Sequence, residues 1–228
     1  MSQLFHSTVS GQLLRPTHVE VNLHQLASNF HSIRKSVSSN LIMPILKANA
    51  YGHGLIDVAH CLQREGADYF GLAYLEEGLL LRQAGITTPI LILGGIIGEQ
   101  IPMFIEHNLT ITASSVDKLK AIEACAASMN KKACVHLKID TGMERIGVHS
   151  YSARKLFEAA LDCSYTQIEG IFSHFATADE QDLSFAYSQL ERFKEVCELA
   201  SNLGLKSLIR HISNSGAIIQ MPEAHLDM

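Results

Sequence analysis

Leu41-Ile42-Met43-Pro44-Ile45-Leu46-Lys47-Ala48-Asn49-Ala50-Tyr51-Gly52-His53-Gly54 runs from six apolar residues into a lysine, then into small residues and two glycines. That order predicts a buried strand, a sharp turn and the entry to a helix. The strand would hold Lys47 at the mouth of a core. An ammonium half withdrawn from water there has a lowered pKa and supplies the free amine that attacks an aldehyde to make a Schiff base. The position equally suits a lysine that snorkels at a strand end.

Outward from this stretch the chain alternates. Upstream, 17–21 has the period of a short strand, Asn22 reads as a helix cap with Gln25 three residues on, and Leu23, Leu26, Phe30, Ile33 and Val37 form one apolar stripe. Downstream, helices are expected over 55–65, 75–84, 99–106, 116–129, 153–161 and 182–203, with Gly66, Gly85 and Gly204 stopping three of them. The helix at 116 opens on a Ser114-x-x-Asp117 capping box. Between the helices lie apolar runs at 68–73, 90–93, 109–112, 134–140, 168–173 and 208–212.

Short, continuously apolar strands in alternation with helices imply a parallel sheet covered on both faces, either an α/β barrel of the (β/α)8 TIM type or a doubly wound sheet. No Gly-x-Gly-x-x-Gly follows a strand, and Gly94-Gly95-Ile96-Ile97-Gly98 has the wrong spacing for dinucleotide binding. The barrel is the better fit. Residues 1–40 supply a strand and helix leading into it, and 41–228 make the barrel itself. Leu226-Asp227-Met228 is expected to begin an eighth strand cut short at the C-terminus, as in a truncated protein. In a barrel, groups placed just after strands gather on the carboxyl-end face. Here those groups are Lys47, Asp140, Arg145, His174 and Ser213 to Ser215.

At 228 residues and 47% hydrophobic content the chain can bury one large core. The net charge of -5 comes from 18 basic and 23 acidic residues without a basic run, so nucleic acid is not an expected partner. Five cysteines, an odd number with no Cys-x-x-Cys pair, suit reduced core residues rather than a disulfide frame or a zinc site. His53 and His60 could share a helix face but have no third ligand, so no metal is expected. The start lacks a basic and then apolar leader, and no apolar run approaches the ~20 residues a membrane helix needs. A cytoplasmic protein without a membrane partner is expected.

Three further segments carry polar groups at strand ends. Val135 to Gly147 places Lys138 two residues before Asp140, on one face of a strand, with Arg145 on the loop above. Glu169 to Glu180 carries His174, and His211-Ile212-Ser213-Asn214-Ser215-Gly216-Ala217 runs a strand into hydroxyls and free N–H groups that suit an anion.

The octet Lys47 to Gly54 closely resembles the pyridoxal-phosphate lysine motif of bacterial alanine racemases, and the other three segments resemble that family too. The resemblance implies pyridoxal 5'-phosphate held by Lys47 as a Schiff base, with Lys47 also the base for the D-alanine proton. By the same resemblance Arg145 holds the substrate carboxylate and orients a tyrosine base from a partner subunit. His174 packs on the pyridine face; Ser215 binds the phosphate, with Asn214 beside it and Tyr51 across the mouth. Lys138 matches a lysine that is carbamylated in many relatives, and could here equally stay an ammonium paired with Asp140.

Glu144 departs from the family, where glycine is frequent, and a carboxylate there would tilt or partly neutralise Arg145. The family's arginine after strand eight, its second mostly β domain and the tyrosine base have no counterpart. The implied activity is two-base racemisation of L-alanine to D-alanine for peptidoglycan synthesis by a homodimer, with the 228 residues alone inactive. Alternatives are a non-catalytic pyridoxal-phosphate-binding barrel and a serine or broad-specificity racemase. A fold-related decarboxylase is not expected to carry the octet.

Overall fold

A computed structural model describes residues 8–9, 12–13, 18–37 and 40–228. Thr8–Val9 (β1) and Gln12–Leu13 (β2) pair antiparallel. Helix α1, Leu23–Val37, comes next; Asn22 Oδ1 accepts from Gln25 N at 3.0 Å, which is the cap that the sequence called for. The strand expected over 17–21 does not form over its described part, 18–21. Val19 is 83% exposed, and none of the described strands pairs with this stretch.

After a helical turn at Lys47–Tyr51 (α2) come α3 (Leu55–Arg64), β3 (Phe70–Leu72), α4 (Leu75–Gln83), β4 (Ile90–Ile92), α5 (Ile101–Glu106), β5 (Thr110–Ala113), α6 (Val116–Met129) and β6 (Ala133–Asp140). The two-residue β7 (Val148–His149), α7 (Ala153–Leu161), β8 (Thr166–Phe172), α8 (Ser184–Leu203), β9 (Ile209–His211) and α9 (Ser215–Gln220) complete the order. The cap of α6 is Ser115, whose side chain accepts from Lys118 N, and not Ser114. β5 ends at Ala113, so Ser114 is spent as the connector and Ser115, in extended conformation, takes the cap.

Strands β3, β4, β5, β6, β8 and β9 lie side by side in that order, all parallel. Every residue of β3, β4 and β5 is buried, as a sheet covered on both faces requires. The curled sheet is that of an α/β barrel, and backbone bonds join its two edges. On one edge Leu46 N donates to Gly71 O (2.9 Å) and Gly71 N to Pro44 O (2.9 Å), although only Ile45 forms a ladder bridge. The 41–46 run thus fills a strand position without regular strand geometry, in keeping with the missing donor of Pro44. On the other edge Asp227 N donates to Arg210 O (3.1 Å), while Asp227 O accepts from Leu41 N (2.9 Å). Asp227 therefore stands in the eighth position, where the sequence placed the start of a last strand. A two-pronged pair of Arg210 with the Asp227 carboxylate, at 2.7 and 3.0 Å, fixes it there.

The main core lies between sheet and helices and includes Phe70, Leu81, Phe104, Phe157 and Phe193. A second cluster, Tyr69, Leu91 and Phe172 with Met43, Leu93, Ile209 and Met228 against it, gathers side chains from several strands. Beside it His136 Nδ1 meets His211 Nε2 at 2.8 Å, His211 stacks on Phe172 at 4.8 Å, and His136 Nε2 lies 3.5 Å from Glu169. Gly170 is a glycine because the His136 ring fills its side-chain space: a Cβ there would sit 2.6 Å from that ring.

Candidate active site

Lys47 does not close a regular strand; it opens α2, and the turn after it is left-handed. Ala48, Asn49, Ala50 and Tyr51 all have φ between 51° and 57°. L-residues pay roughly 1–2 kcal/mol each in this conformation, so outside contacts must hold it. The Glu77 carboxylate on α4 accepts from Ala48 N (2.6 Å) and Ala73 N (2.8 Å), tying the turn to the end of β3. Asn49 Oδ1 accepts from Leu55 N (2.8 Å), and Ala50 N donates back to Leu46 O (2.7 Å). Lys47 is left half-buried and Tyr51 60% exposed.

At the end of β6, Lys138 and Asp140 are both buried, as strand alternation predicted. The Asp140 carboxylate accepts from Gly142 N (2.8 Å) and Arg145 N (3.1 Å), shaping the loop that carries the exposed Arg145. These backbone bonds, with the Lys138 charge, hold the Asp140 carboxyl below the usual carboxylate range in spite of its burial. Glu144 adopts φ 56°, a conformation that glycine takes without strain, and its carboxylate lies 3.6 Å from His149 rather than on Arg145. Ligand atoms of Asp140, Glu144 and His149 fall within 4.8 Å of one another, but the Lys138 charge beside Asp140 opposes a cation.

Lys138 is 5% exposed, and its ammonium lies 4.5 Å from the Phe172 ring centroid. Burial first, and the Arg145 charge second, pull its pKa down to about 7 against the support of Asp140. Between pH 7 and the unfolded value near 10.4 the unfolded chain binds the extra proton, so stability rises with pH across that window. In buffer free of carbon dioxide, Lys138→Met should be the more stable chain by on the order of 3 kcal/mol near pH 6, with the gain shrinking toward pH 10. Urea unfolding at several pH values checks this; parallel pH curves for the two chains would contradict it.

His174, after β8, carries the third strand-end group. Burial first, then the charges of Lys138, Arg145 and Lys47, lower its pKa to about 4, so the ring is neutral near pH 7. Lys47, Lys138 and Arg145 thus all act electrostatically on one imidazole. Lys138, Asp140, Arg145, Ser173 and His174 line a single small cavity there. At the end of β9, Asn214 caps α9, its Oδ1 accepting from Ala217 N (3.0 Å), and Ser215 is exposed as the first helical residue. Helix geometry leaves the first N–H groups of α9 without intrahelical acceptors.

Lys138, Arg145, His174, Asn214 and Ser215 lie at or just after strand ends as the sequence expected, while Lys47 follows the irregular 41–46 run and opens α2, with Tyr51 exposed on the same turn. The sequence reading missed Glu77, which sits in an ordinary amphipathic helix pattern, and the left-handed turn that Glu77 holds. Among the described residues no helix is long and apolar enough to cross a membrane.

Comparison with known proteins identifies the family and the fold. The profile described as alanine racemase, N-terminal domain, matches residues 21–228. The chain is 42% identical over 215 residues to the alanine racemase of Carboxydothermus hydrogenoformans, covering 94% of this chain and 58% of that protein. Alanine racemase 2 of Caldanaerobacter subterraneus subsp. tengcongensis is also 42% identical, over 94% of this chain and 56% of its own length. Among solved structures, alanine racemase of Clostridium difficile 630 in complex with cycloserine superposes with a TM-score of 0.91 at 39% identity, over 95% of this chain and 60% of that one. The chain spans somewhat under two thirds of each of these relatives. With strand-end lysine, histidine and arginine on a parallel barrel of matching fold, the chain belongs to the alanine racemase N-terminal domain family.

Proposed function

We propose that these residues form the cofactor-holding barrel of a pyridoxal 5'-phosphate-dependent alanine racemase. The observation that carries the proposal is the cavity that Lys138, Asp140, Arg145, Ser173 and His174 share, with half-buried Lys47 adding its charge to those that keep His174 neutral. Three cations and one carboxylate, Asp140, suit a ligand with several negative charges, as a phosphate and a substrate carboxylate together provide. The residues fit the cofactor: a half-buried amine for its aldehyde, an uncharged ring for its flat face, and the α9 end with Ser215 and Asn214 for its phosphate. Tyr51 stands exposed to reach that phosphate from the Lys47 turn.

Pyridoxal 5'-phosphate, when bound, supplies an aldehyde for an amino group and an electron sink for charge developing at Cα. The protein does the rest. Lys47 would hold the cofactor through its aldehyde and, when free, would serve as base or acid for the Cα proton on the D-alanine face. His174, kept uncharged, would offer a flat face to the cofactor ring without adding a competing cation. Arg145 offers a rigid fork to the substrate carboxylate. Lys138, with a pKa of about 7, is divided between ammonium and free amine near neutral pH; carbamylation of the free amine by carbon dioxide would convert the charge facing Arg145 from repulsive to attractive.

Racemisation needs a second proton carrier on the opposite face of Cα. We assign it to a tyrosine of a partner subunit in a cytoplasmic homodimer making D-alanine for peptidoglycan. Exposed Tyr51, Tyr74, Ile97, Tyr151 and Ile219 all come after strand ends, and support a second copy covering the barrel mouth. D/L conversion of alanine, serine and lysine tests the function, measured with the 228-residue chain and with the same chain joined to the C-terminal portion of a relative. Alanine conversion by the joined protein, and little by the chain alone, is expected. A joined, folded, cofactor-loaded protein that converts none of the three, or prefers serine or lysine, would overturn it.

A further inference from the structure

Helix α8 follows β8, and one of its side chains touches both the loop after β8 and the loop after β6, two of the loops that build the site. Gln189 is fully buried. Its amide oxygen accepts from Ala176 N at 2.9 Å, and its amide nitrogen donates to His174 O at 3.1 Å and to Thr141 Oγ1 at 3.3 Å. Thr141 in turn meets Ser173 hydroxyl to hydroxyl at 2.8 Å. One turn further along α8, Arg192 donates to Thr141 O at 2.8 Å.

The packing leaves no slack. Gly142 has φ 136°, and a Cβ there would lie 2.9 Å from Phe185 and 3.1 Å from Arg192, both on α8. The loop after β6 is therefore pressed onto α8 just before Asp140's nest carries the chain to Arg145, while the loop after β8 is held at both sides of Phe175. A helix that needed only an apolar face would place leucine at a fully buried position. A glutamine there makes three bonds, each to a loop bearing a site residue, and leaves none of its hydrogen-bonding atoms to the core.

We propose that Gln189 is a positioning residue: it sets His174 and the Arg145 loop at a fixed distance and orientation across the site. The proposal rests on the assignment of His174 and Arg145 to one ligand. Its own consequence, that His174 is held inside by Gln189, does not need the ligand. A fixed His174 backbone keeps the ring under the three charges that face it: Lys138 from β6, Arg145 from the loop above and Lys47 from α2. Released, the ring gains water and moves away from those charges.

The test uses the 228-residue chain without ligand. The imidazole titration of His174 is followed by NMR, its signal assigned by loss in His174→Gln. In the parent the His174 titration is expected at about 4, since burial and the facing charges lower it. In Gln189→Met, of similar length but unable to bond, the titration should rise by at least about one unit toward the ordinary value near 6.5. Amides of 173–177 and 141–146 should exchange about tenfold faster, the scale of one or two lost buried hydrogen bonds. Should that chain fail to fold, Gln189→Asn keeps the amide but is one methylene too short to span both loops, and should show the same shifts in smaller measure. A purely structural role would lower stability and leave the His174 titration in place.

A second readout links the clamp to the ligand. With pyridoxal 5'-phosphate added, the circular dichroism induced in the bound cofactor should fall at least about twofold in Gln189→Met at saturation, since ring orientation sets that signal. Unchanged His174 titration in a folded variant overturns the proposal. If the parent takes up no pyridoxal 5'-phosphate, the cofactor assignment fails while the titration still decides the clamp.

Discussion

Lys47→Ala will abolish covalent uptake of pyridoxal 5'-phosphate, and in a racemase of family length it will lower alanine turnover by roughly 10⁴-fold or more. The size of the effect reflects two jobs lost together. No other amine among the described residues is both half-buried at a strand end and near His174: Lys138 is buried under Phe172, its ammonium 4.5 Å from that ring. Lys47→Arg should do no better, because a guanidinium keeps its proton and has no free pair with which to attack an aldehyde. The fold should survive both changes, since the Lys47 side chain makes none of the backbone bonds that hold the left-handed turn. Cofactor absorbance, turnover and far-ultraviolet circular dichroism, measured on the same samples, check all three statements.

Arg145→Leu should carry the second largest loss, about 10²–10³ in kcat/KM, as expected for a two-pronged charge-assisted contact to the substrate carboxylate. Arg145→Lys keeps the charge but not the fork and should recover only part of it. The geometry supplies a check that needs no turnover. Arg145 helps lower the pKa of both Lys138 and His174, so removing its charge raises both toward their ordinary values. Chemical labelling rates as a function of pH would give the lysine result, and NMR the histidine result. Loss of activity with both titrations unmoved would mean that Arg145 does not face the cavity at all.

Much of this was legible in the sequence, for physical reasons. Continuous apolar runs mark strands buried on both faces, and glycines at 66, 85 and 204 take the left-handed conformation that ends a helix, so the barrel order could be read directly. Lys47, Lys138, Arg145 and His174 could be placed because a barrel gathers the carboxyl ends of its strands, and the loops leaving them, on one face. Other features depend on contacts between distant segments. The left-handed turn after Lys47 has a sequence that carries no such preference at Ala48 or Ala50, and it is held by Glu77 from α4, two helices on. Gln189 reads as one polar residue in an amphipathic helix, and only packing against the ends of β6 and β8 turns it inward. The alternation at 18–21 looks like a strand but none of the described strands pairs with it, and Ser114 loses the helix cap to Ser115 because β5 runs one residue further than its apolar run suggests. Asp227 closes the ring through a pair with Arg210 whose register could not be known before β9 was placed.

The central claim is that Lys47 holds pyridoxal 5'-phosphate on the carboxyl-end face of this barrel. Borohydride reduction of the cofactor-treated chain, followed by digestion and peptide mapping, tests it most directly. A single reduced pyridoxyl label on the peptide containing Lys47, absent from Lys47→Ala, is the predicted result. A label on Lys138 or on surface lysines, or equal labelling of the parent and the Lys47→Ala chain, would contradict it.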